Sequence, residues 1–455
     1  MTITDELVSK IREFDFDDLG PQALDTARHV FLDGVAVILA GATEPLGLGA
    51  IIRDYAREMA GAPQASVIAG AFKTSMTEAA FANGTMAHAL DFDNCWYPLN
   101  HPTSPTLPVI LALAEHHGLA GRQCVTALAV AFEVQARLRL ASTGLHTGRG
   151  FHKPGTTGLM GAVAAAIKLL DLDHEESLMA FGIAGSRLGS LSLNTGTMTK
   201  ATHSGNAARL GLESVLLAAR GLTGARDVFG PQGYFDTLLG AEQAPRLLVD
   251  DFADPLWMVE PGVGFKKHPS NYFTHRPIDA ALAIRSRAGF SIDDVASVTI
   301  RFPELHYVDR PHPLSGLDGK FSLQYATAVA LLDGSVTIDS FTDQRRFAAD
   351  VEAMLPKMAI EFDPQISKEF LDLHTEVVVR LADGTELTER VDALTGMPGV
   401  PLTEDQRMTK YITCATRVLD AERADRLASL LGRVDELEDL TEVMDLARND
   451  TRPVQ

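Results

Sequence analysis

The run GLMGAVAAAIKLLDL, residues 158–172, carries small or apolar side chains on nearly every face of a helix. A helix of that kind has no polar side to give to water, so it belongs inside a bundle whose helices approach closely. The same texture recurs in PQALDTARHVFLDGVAVILAGA (21–42), SPTLPVILALAEHHGLAG (104–121), around EVQARLRLAS (133–142) and in NAARLGLESVLLAARGLTG (206–224). Apolar residues fall at three and four spacing, and Pro21 suits a first helical position. No fixed-period repeat is present. Residues 2 to about 260 therefore read as helical.

A change of texture follows GVGFKKHPSNYFTHRP (262–277). PIDAALAIRSRAG reads as an amphipathic helix and ASVTIRFP as a half-buried strand. TEVVVRLADGTELTERVDA reads as a hairpin turning at Asp383-Gly384. From PLTEDQRMTKYITC onward the pattern is helical again, with Thr403 and Glu404 as cap-like residues. With 455 residues, the chain exceeds a single core. The expected fold is mostly α with an α+β domain. A large helical domain is built from both chain ends, residues 1–265 and 395–455, with a smaller α+β unit, 266–394, inserted between them.

The bulk numbers exclude several classes. Lys+Arg 40 against Asp+Glu 60 leaves a net charge of −20, which disfavours nonspecific binding to nucleic acid or an anionic membrane. No run approaches the ~18 apolar residues of a membrane span. The segment MTITDELVSK has acids and no apolar core, unlike a secretory signal. Cys95, Cys124 and Cys414 form no CxxC and suit a reducing compartment, so a cytoplasmic location is expected.

Against that acidic background, cationic and imidazole groups gather in a few loops. HALDFDNCWYPLNHPTSP (88–105) holds His88, Asp91, Asp93, Asn94, Cys95 and His101. Two residues apart, Asp91 and Asp93 would diverge on a helix, so a carboxylate pair sharing one atom is not implied. Helix-end capping is the plain alternative. His101 precedes a helix start, an end that favours anions. GRGFHKPGTTG (148–158) places His152 and Lys153 among Gly148, Gly150 and Gly155, matching neither GxGxxG nor GxxxxGK[ST]. NTGTMTKATHSGNAARLG (194–211) supplies Lys200 and His203. GVGFKKHPSNYFTH supplies Lys266, Lys267, His268 and His275, and GKFSLQYATAVALLDG (319–334) supplies Tyr325, which could simply be core.

Such a cationic set suits a small carboxylate-bearing substrate held between two domains. The fitting chemistry is proton abstraction beside a carboxylate, elimination or decarboxylation, with cations stabilising the developing anion. HExxH and EF-hand loops are absent, and His116-His117, adjacent on a helix, diverge, so no metal is expected. GxSxG is absent too. Cys95 could be a nucleophile by position, but a free Cys more often acts as a small hydrophobe.

The ordered set HALDFDN…HPTSPTLP, GFHKPGTTG, GTMTKATHSGNAARLG, GFKKHPSNYFTH and KFSLQYATAVALLDG resembles the MmgE/PrpD family over nearly the whole chain. That family includes 2-methylcitrate dehydratase, cis-aconitate decarboxylase and iminodisuccinate epimerase. The resemblance implies a helical domain from both ends, an α+β lid, a homodimer, a site in the cleft between domains and no cofactor. It assigns Lys200 and Lys266 as carboxylate clamps, His101 and His152 as proton movers, Asp91 as orienter of a histidine and Tyr325 as a donor. Lys267, His203, Cys95 and Asn94 join them as substrate-binding candidates. The family's DFDDT reads DFDNC here, with Asn94 and Cys95 replacing Asp and Thr. WYPLNHPTSPTLP and EVQARL resemble the decarboxylase branch, yet the hydroxyl lost at Cys95 bears on that very reaction. The expected function is a lyase, dehydratase or decarboxylase, acting on a small di- or tricarboxylate. An epimerase is the second reading and a noncatalytic anion-binding protein the third.

Overall fold

Helices form at Ile3–Glu13, Pro21–Gly41, Leu48–Glu58, Met76–Ala89, Thr103–His117, Gly121–Ala141, Thr157–Leu170, His174–Gly185 and Thr199–Ala218. This is a computed structural model, and it describes residues 1–97, 99–142, 150–238, 243–287 and 290–449. Gly148 and the end of the 277–289 segment lie outside the described residues. Pro21 opens its helix as expected. Two short strands interrupt the helical half, β1 (Ala65–Val67) and β2 (Phe72–Thr74), paired antiparallel. Three-residue strands are too short to show alternation, and the sequence reading missed them.

Small residues set the helix contacts. Met76–Ala89 and Thr199–Ala218 cross at Gly84 and Gly205. A methyl group at Gly205 would lie 2.1 Å from Thr85 Oγ1 and 2.4 Å from the Phe81 carbonyl oxygen. Thr103–His117 joins them through Ser104 Oγ, 3.0 Å from Ser204 Oγ. Three segments that carry polar loops are thereby brought together at one end.

Beyond residue 275 the chain builds a four-stranded sheet in the order β4-β3-β5-β6. Its strands are β3 (Val295–Phe302), β4 (Met358–Phe362), β5 (Thr375–Leu381) and β6 (Glu386–Val391). β3 runs parallel to β4 and antiparallel to β5, and β5 pairs antiparallel with β6. The β5–β6 hairpin turns at Asp383-Gly384, where Gly384 adopts φ 92° and Asp383 Oδ1 accepts from the Thr385 N–H. Helices His275–Arg285 and Leu323–Asp333 pack on this sheet.

One hydrophobic core draws on both ends of the chain, from Leu7 and Val8 to Val443 and Met444. A second core spans Ile278 to Val379. The chain crosses between them twice, and the crossings touch: Phe265 N–H donates to Gly396 O at 2.7 Å. Thr403 caps helix Glu404–Ala415, accepting from the Gln406 N–H, and that helix returns to Pro21–Gly41 through Lys410 and Asp33, 2.6 Å apart. Among the described residues no helix is long and apolar enough to cross a membrane.

Candidate active site

Helix Met76–Ala89 stops where Asp91 turns left-handed, at φ 50°. Aspartate tolerates that conformation better than most residues. Lys266, on the first crossing segment, donates to Asp91 Oδ1 at 2.6 Å, Asp91 O at 2.7 Å and Ser270 O at 3.0 Å. Lys200, in the first turn of Thr199–Ala218, lies 3.3 Å from Asp91 Oδ2. Burial alone would raise the Asp91 carboxyl, but Lys200 and Lys266 outweigh it and hold it well below the usual carboxylate range. Burial in turn lowers Lys200, which Asp91 only partly offsets.

Asp91 and Asp93 do converge, though on a ring rather than an atom. His101 Nε2 lies 3.8 Å from Asp91 Oδ1, and His101 Nδ1 lies 3.2 Å from Asp93 Oδ2. The Asp91–Asp93 segment is not helical, so the helical divergence does not apply. Asp93 also takes His88, whose Nδ1 is 3.0 Å from both its oxygens. His88 is thus an aspartate partner rather than a cap. Four imidazoles run in a row, with ring centroids 4.6 Å apart for His101–His88, 5.5 Å for His88–His152 and 5.1 Å for His152–His203. His152 Nδ1 and His203 Nδ1 are 3.0 Å apart, one donating to the other. Burial, with Lys200 close by, pushes His152 well below its ordinary value and His203 down to about 4, so both are neutral near pH 7.

A cavity of about 470 Å³ opens beside this group, within the ordinary size of small-molecule sites. Cys95, His101, His152, Lys200 and Lys266 line it. His203 stands behind His152. Asn94 does not line it; its Oδ1 accepts from Thr103 Oγ1 at 2.7 Å and fixes the start of the next helix. Cys95 is 1% exposed, and burial pushes its thiol up, so it is no thiolate nucleophile.

Two expected site residues lie elsewhere. Tyr325 is fully buried in the second core, its ring against Gly319 and its hydroxyl donating to Ser340 O at 2.5 Å. The apolar helix around it was the correct signal. Lys267 Nζ pairs with Asp279 Oδ1 at 2.8 Å, beside His268 Nε2 on the same oxygen at 2.9 Å. Neighbouring lysines on an extended segment point apart. His116 and His117, expected to diverge, instead meet edge to face at 4.7 Å.

Lining residues not singled out from sequence include Tyr307, Asn271, Arg310 and Asn100. Tyr307 stands on a short 3₁₀ turn with no periodic pattern to reveal it, and it is 41% exposed at the cavity edge. Lys320 approaches from the second core, completely buried, with Nζ 3.3 Å from Ala89 O at the end of helix Met76–Ala89. Burial lowers it to about 8.

For a metal, the best-placed described residues are His88, Asp93 and His101, whose donor atoms lie within 4.8 Å of one another. Two imidazoles and a carboxylate are a known ligand set. His88 Nδ1 is already hydrogen-bonded to Asp93, whereas His88 Nε2 is buried with no hydrogen-bond partner among the described residues.

Buried carboxylates matched to lysines and neutral imidazoles beside a cavity suit an enzyme that moves protons. The comparisons agree. The MmgE/PrpD N-terminal domain model matches residues 5–246 and the MmgE/PrpD C-terminal domain model matches 268–436. The chain belongs to the MmgE/PrpD family and is a lyase of the dehydratase–decarboxylase kind. It is 34% identical to cis-aconitate decarboxylase of Mus musculus over 383 residues, covering 81% of this chain and 78% of the relative. The Homo sapiens cis-aconitate decarboxylase is 33% identical, covering 83% and 80%. A 2-methylcitrate dehydratase of Cupriavidus necator is 28% identical, covering 81% and 80%.

Proposed function

We propose that the protein is a cofactor-independent lyase acting at the carbon beside a carboxylate of a small di- or tricarboxylic acid, with loss of carbon dioxide or water. The observation that carries this reading is Asp91 held between Lys200 and Lys266 while His101 and His152 open onto one cavity. Loss of carbon dioxide, and the proton abstraction that precedes loss of water, each place negative charge on a carbon beside a remaining carboxylate, and a cation at that carboxylate stabilises it. Lys200 is that cation. Lys266 is the strut that holds Asp91, since Asp91 and Ser270 accept from it three times.

Loss of carbon dioxide breaks a carbon–carbon bond and requires one proton delivered to carbon. Loss of water requires a proton taken beside the carboxylate and one given to the departing hydroxyl. His152, neutral near pH 7, is the base; His101, oriented by carboxylates at both ring nitrogens, is the donor. Tyr307 adds a neutral hydrogen-bond donor. The unit 266–394 acts as a lid over the helical domain formed by 1–265 and 395–455, and closing it excludes water.

Cis-aconitate is the first substrate to test, because the mouse and human decarboxylases match over four fifths of the chain. Proton NMR of EDTA-treated protein in deuterated water, with citrate, 2-methylcitrate, cis-aconitate and iminodisuccinate-like acids, tests the reading. Loss of carbon dioxide or water with the metal removed supports it. Deuterium entering an unchanged skeleton would make the enzyme an epimerase, and no reaction with any acid would refute the assignment.

A further inference from the structure

Most cations around the cavity have acceptors in place. Lys266 has three, Lys200 has Asp91, Lys320 has the Ala89 carbonyl, and Arg310 is paired with Asp318. Lys153 lines the same cavity, yet its ammonium has no hydrogen bond or ion pair with any described residue. Its backbone is well fixed. His152 N–H donates to Ser190 O at 2.9 Å, and Lys153 O accepts from Thr156 N–H at 3.0 Å and Thr157 Oγ1 at 3.1 Å. Rigid backbone with a free charged end is how a binding residue is prepared for a ligand.

A second cation stands nearby. Arg139, near the end of helix Gly121–Ala141, is 5% exposed, and its Nε and Nη1 have no hydrogen-bond partner among the described residues. Arg139 carries a buried positive charge and Lys153 a half-buried one, and a bound anion would offset both. The charge felt at Lys153 is that of Arg139, whereas Lys200 and Lys266 answer to Asp91 and to each other. The cavity thus has two cationic positions, one at the proton-moving histidines and one away from Asp91.

We propose that Lys153 is a specificity-determining residue of this site, receiving the distal carboxylate of a di- or tricarboxylate whose other carboxylate lies at Lys200, with Arg139 strengthening the field behind it. This rests on the carboxylic-acid reading above and narrows it: acids with a single carboxylate lose one of the two anchors. A tricarboxylate spanning both positions is the preferred occupant. Burial and the Arg139 charge bring the free Lys153 ammonium down to about 7. An anion must then bind together with a proton above that pH, so affinity falls as pH rises from 6 to 8.5.

The test is calorimetric titration with propane-1,2,3-tricarboxylate, an unreactive tricarboxylate, on wild type, Lys153→Met and Lys153→Gln. Circular dichroism verifies that each variant is folded, and turnover of cis-aconitate is followed in parallel. We expect the wild type to bind, both variants to bind at least about tenfold more weakly, and the weakening between pH 6 and 8.5 to flatten in both. If cis-aconitate turns over, its KM rises in the variants by more than kcat falls. Equal affinity in wild type and variants, an unchanged pH slope, or no binding by wild type overturns the assignment. Lys153-dependent binding without turnover of any acid would keep this subsite and refute the lyase substrate reading instead.

Discussion

Lys200 and Lys266 contact the same carboxylate, but substituting them should have different consequences. Lys266 is 1% exposed with all three donors engaged, so Lys266→Met takes its buried hydrogen bonds from Asp91 and Ser270, leaves Asp91 with Lys200 as its remaining lysine, and should destabilise the fold by ~3–5 kcal/mol. Lys200 lines the cavity with a longer contact, and Lys200→Ala, like His152→Ala, should lower kcat by about two orders of magnitude or more with the melting temperature nearly kept. Thermal melts beside steady-state kinetics decide it, and near-normal turnover in folded Lys200→Ala and His152→Ala would remove both from the chemistry. The two tyrosines separate likewise. Tyr325→Phe should cost ~1 kcal/mol of stability, from the lost bond to Ser340 O, and leave the rate alone. Tyr307→Phe should lower kcat/KM by about tenfold with little change in stability; equal activity in both variants would put Tyr307 outside the reaction. Asp91, His101, His152 and Lys200 were legible because polar residues in short loops between apolar helices have few reasons to be there. Tyr307 was not, since an irregular turn offers no period, and Lys153 showed its position in sequence but not its lack of a partner, which only the folded chain reveals.

Helices carry these residues through contacts that tolerate almost no added volume. Adding a methyl at Gly205 places it 2.1 Å from Thr85 Oγ1 and 2.4 Å from the Phe81 carbonyl, which is backbone and cannot swing aside. Gly205→Ala should therefore push Thr199–Ala218 off Met76–Ala89, lower stability by ~1–3 kcal/mol and also slow turnover, because Lys200 and His203 ride on the displaced helix. A glycine chosen only for local helix flexibility would give the opposite sign, since alanine favours helix; a rise in melting temperature would show that the crossing is looser than described. This close-packed texture was readable from the Ala- and Gly-rich runs, as were β3 and the β5–β6 hairpin from alternation. The β1–β2 pair and β4 escaped, being three and five residues long and set by what they pair with rather than by their own pattern.

At the scale of the whole molecule, the crossings show where the chain can open. Gly262 and Gly264 lie on the first crossing, where residues 262–266 are buried and a methyl at Gly264 would lie 2.4 Å from Met397 Sδ. Protease should instead cut near Gly399 and Val400, which are exposed on the return crossing. Fragments mapped by mass spectrometry to 262–266 would contradict that burial.

Acid should loosen the same junction before it unfolds either core from its carboxylates. His88 and His203 are lowered to about 4, chiefly by burial; His152 and His275 lie well below the ordinary value, and His268 is lowered. In the unfolded chain these rings take up protons near pH 6.5, while in the folded protein they resist until much lower pH. Between those limits the unfolded state binds more protons, so stability falls as pH falls. It is fully present above about pH 6.5 and is progressively lost towards pH 4. Asp91 and Asp93, held well below the carboxylate range by lysines and histidines, add their loss only at still lower pH. Melting temperature should therefore drop steadily from pH 7 to pH 5, with a shallower slope in His203→Gln, which removes one of the resisting rings. A melting temperature that stays level or climbs over that interval would mean the histidine row is already protonated in the folded protein. His152 would then be no base, and the proton-transfer roles assigned here would have to be exchanged.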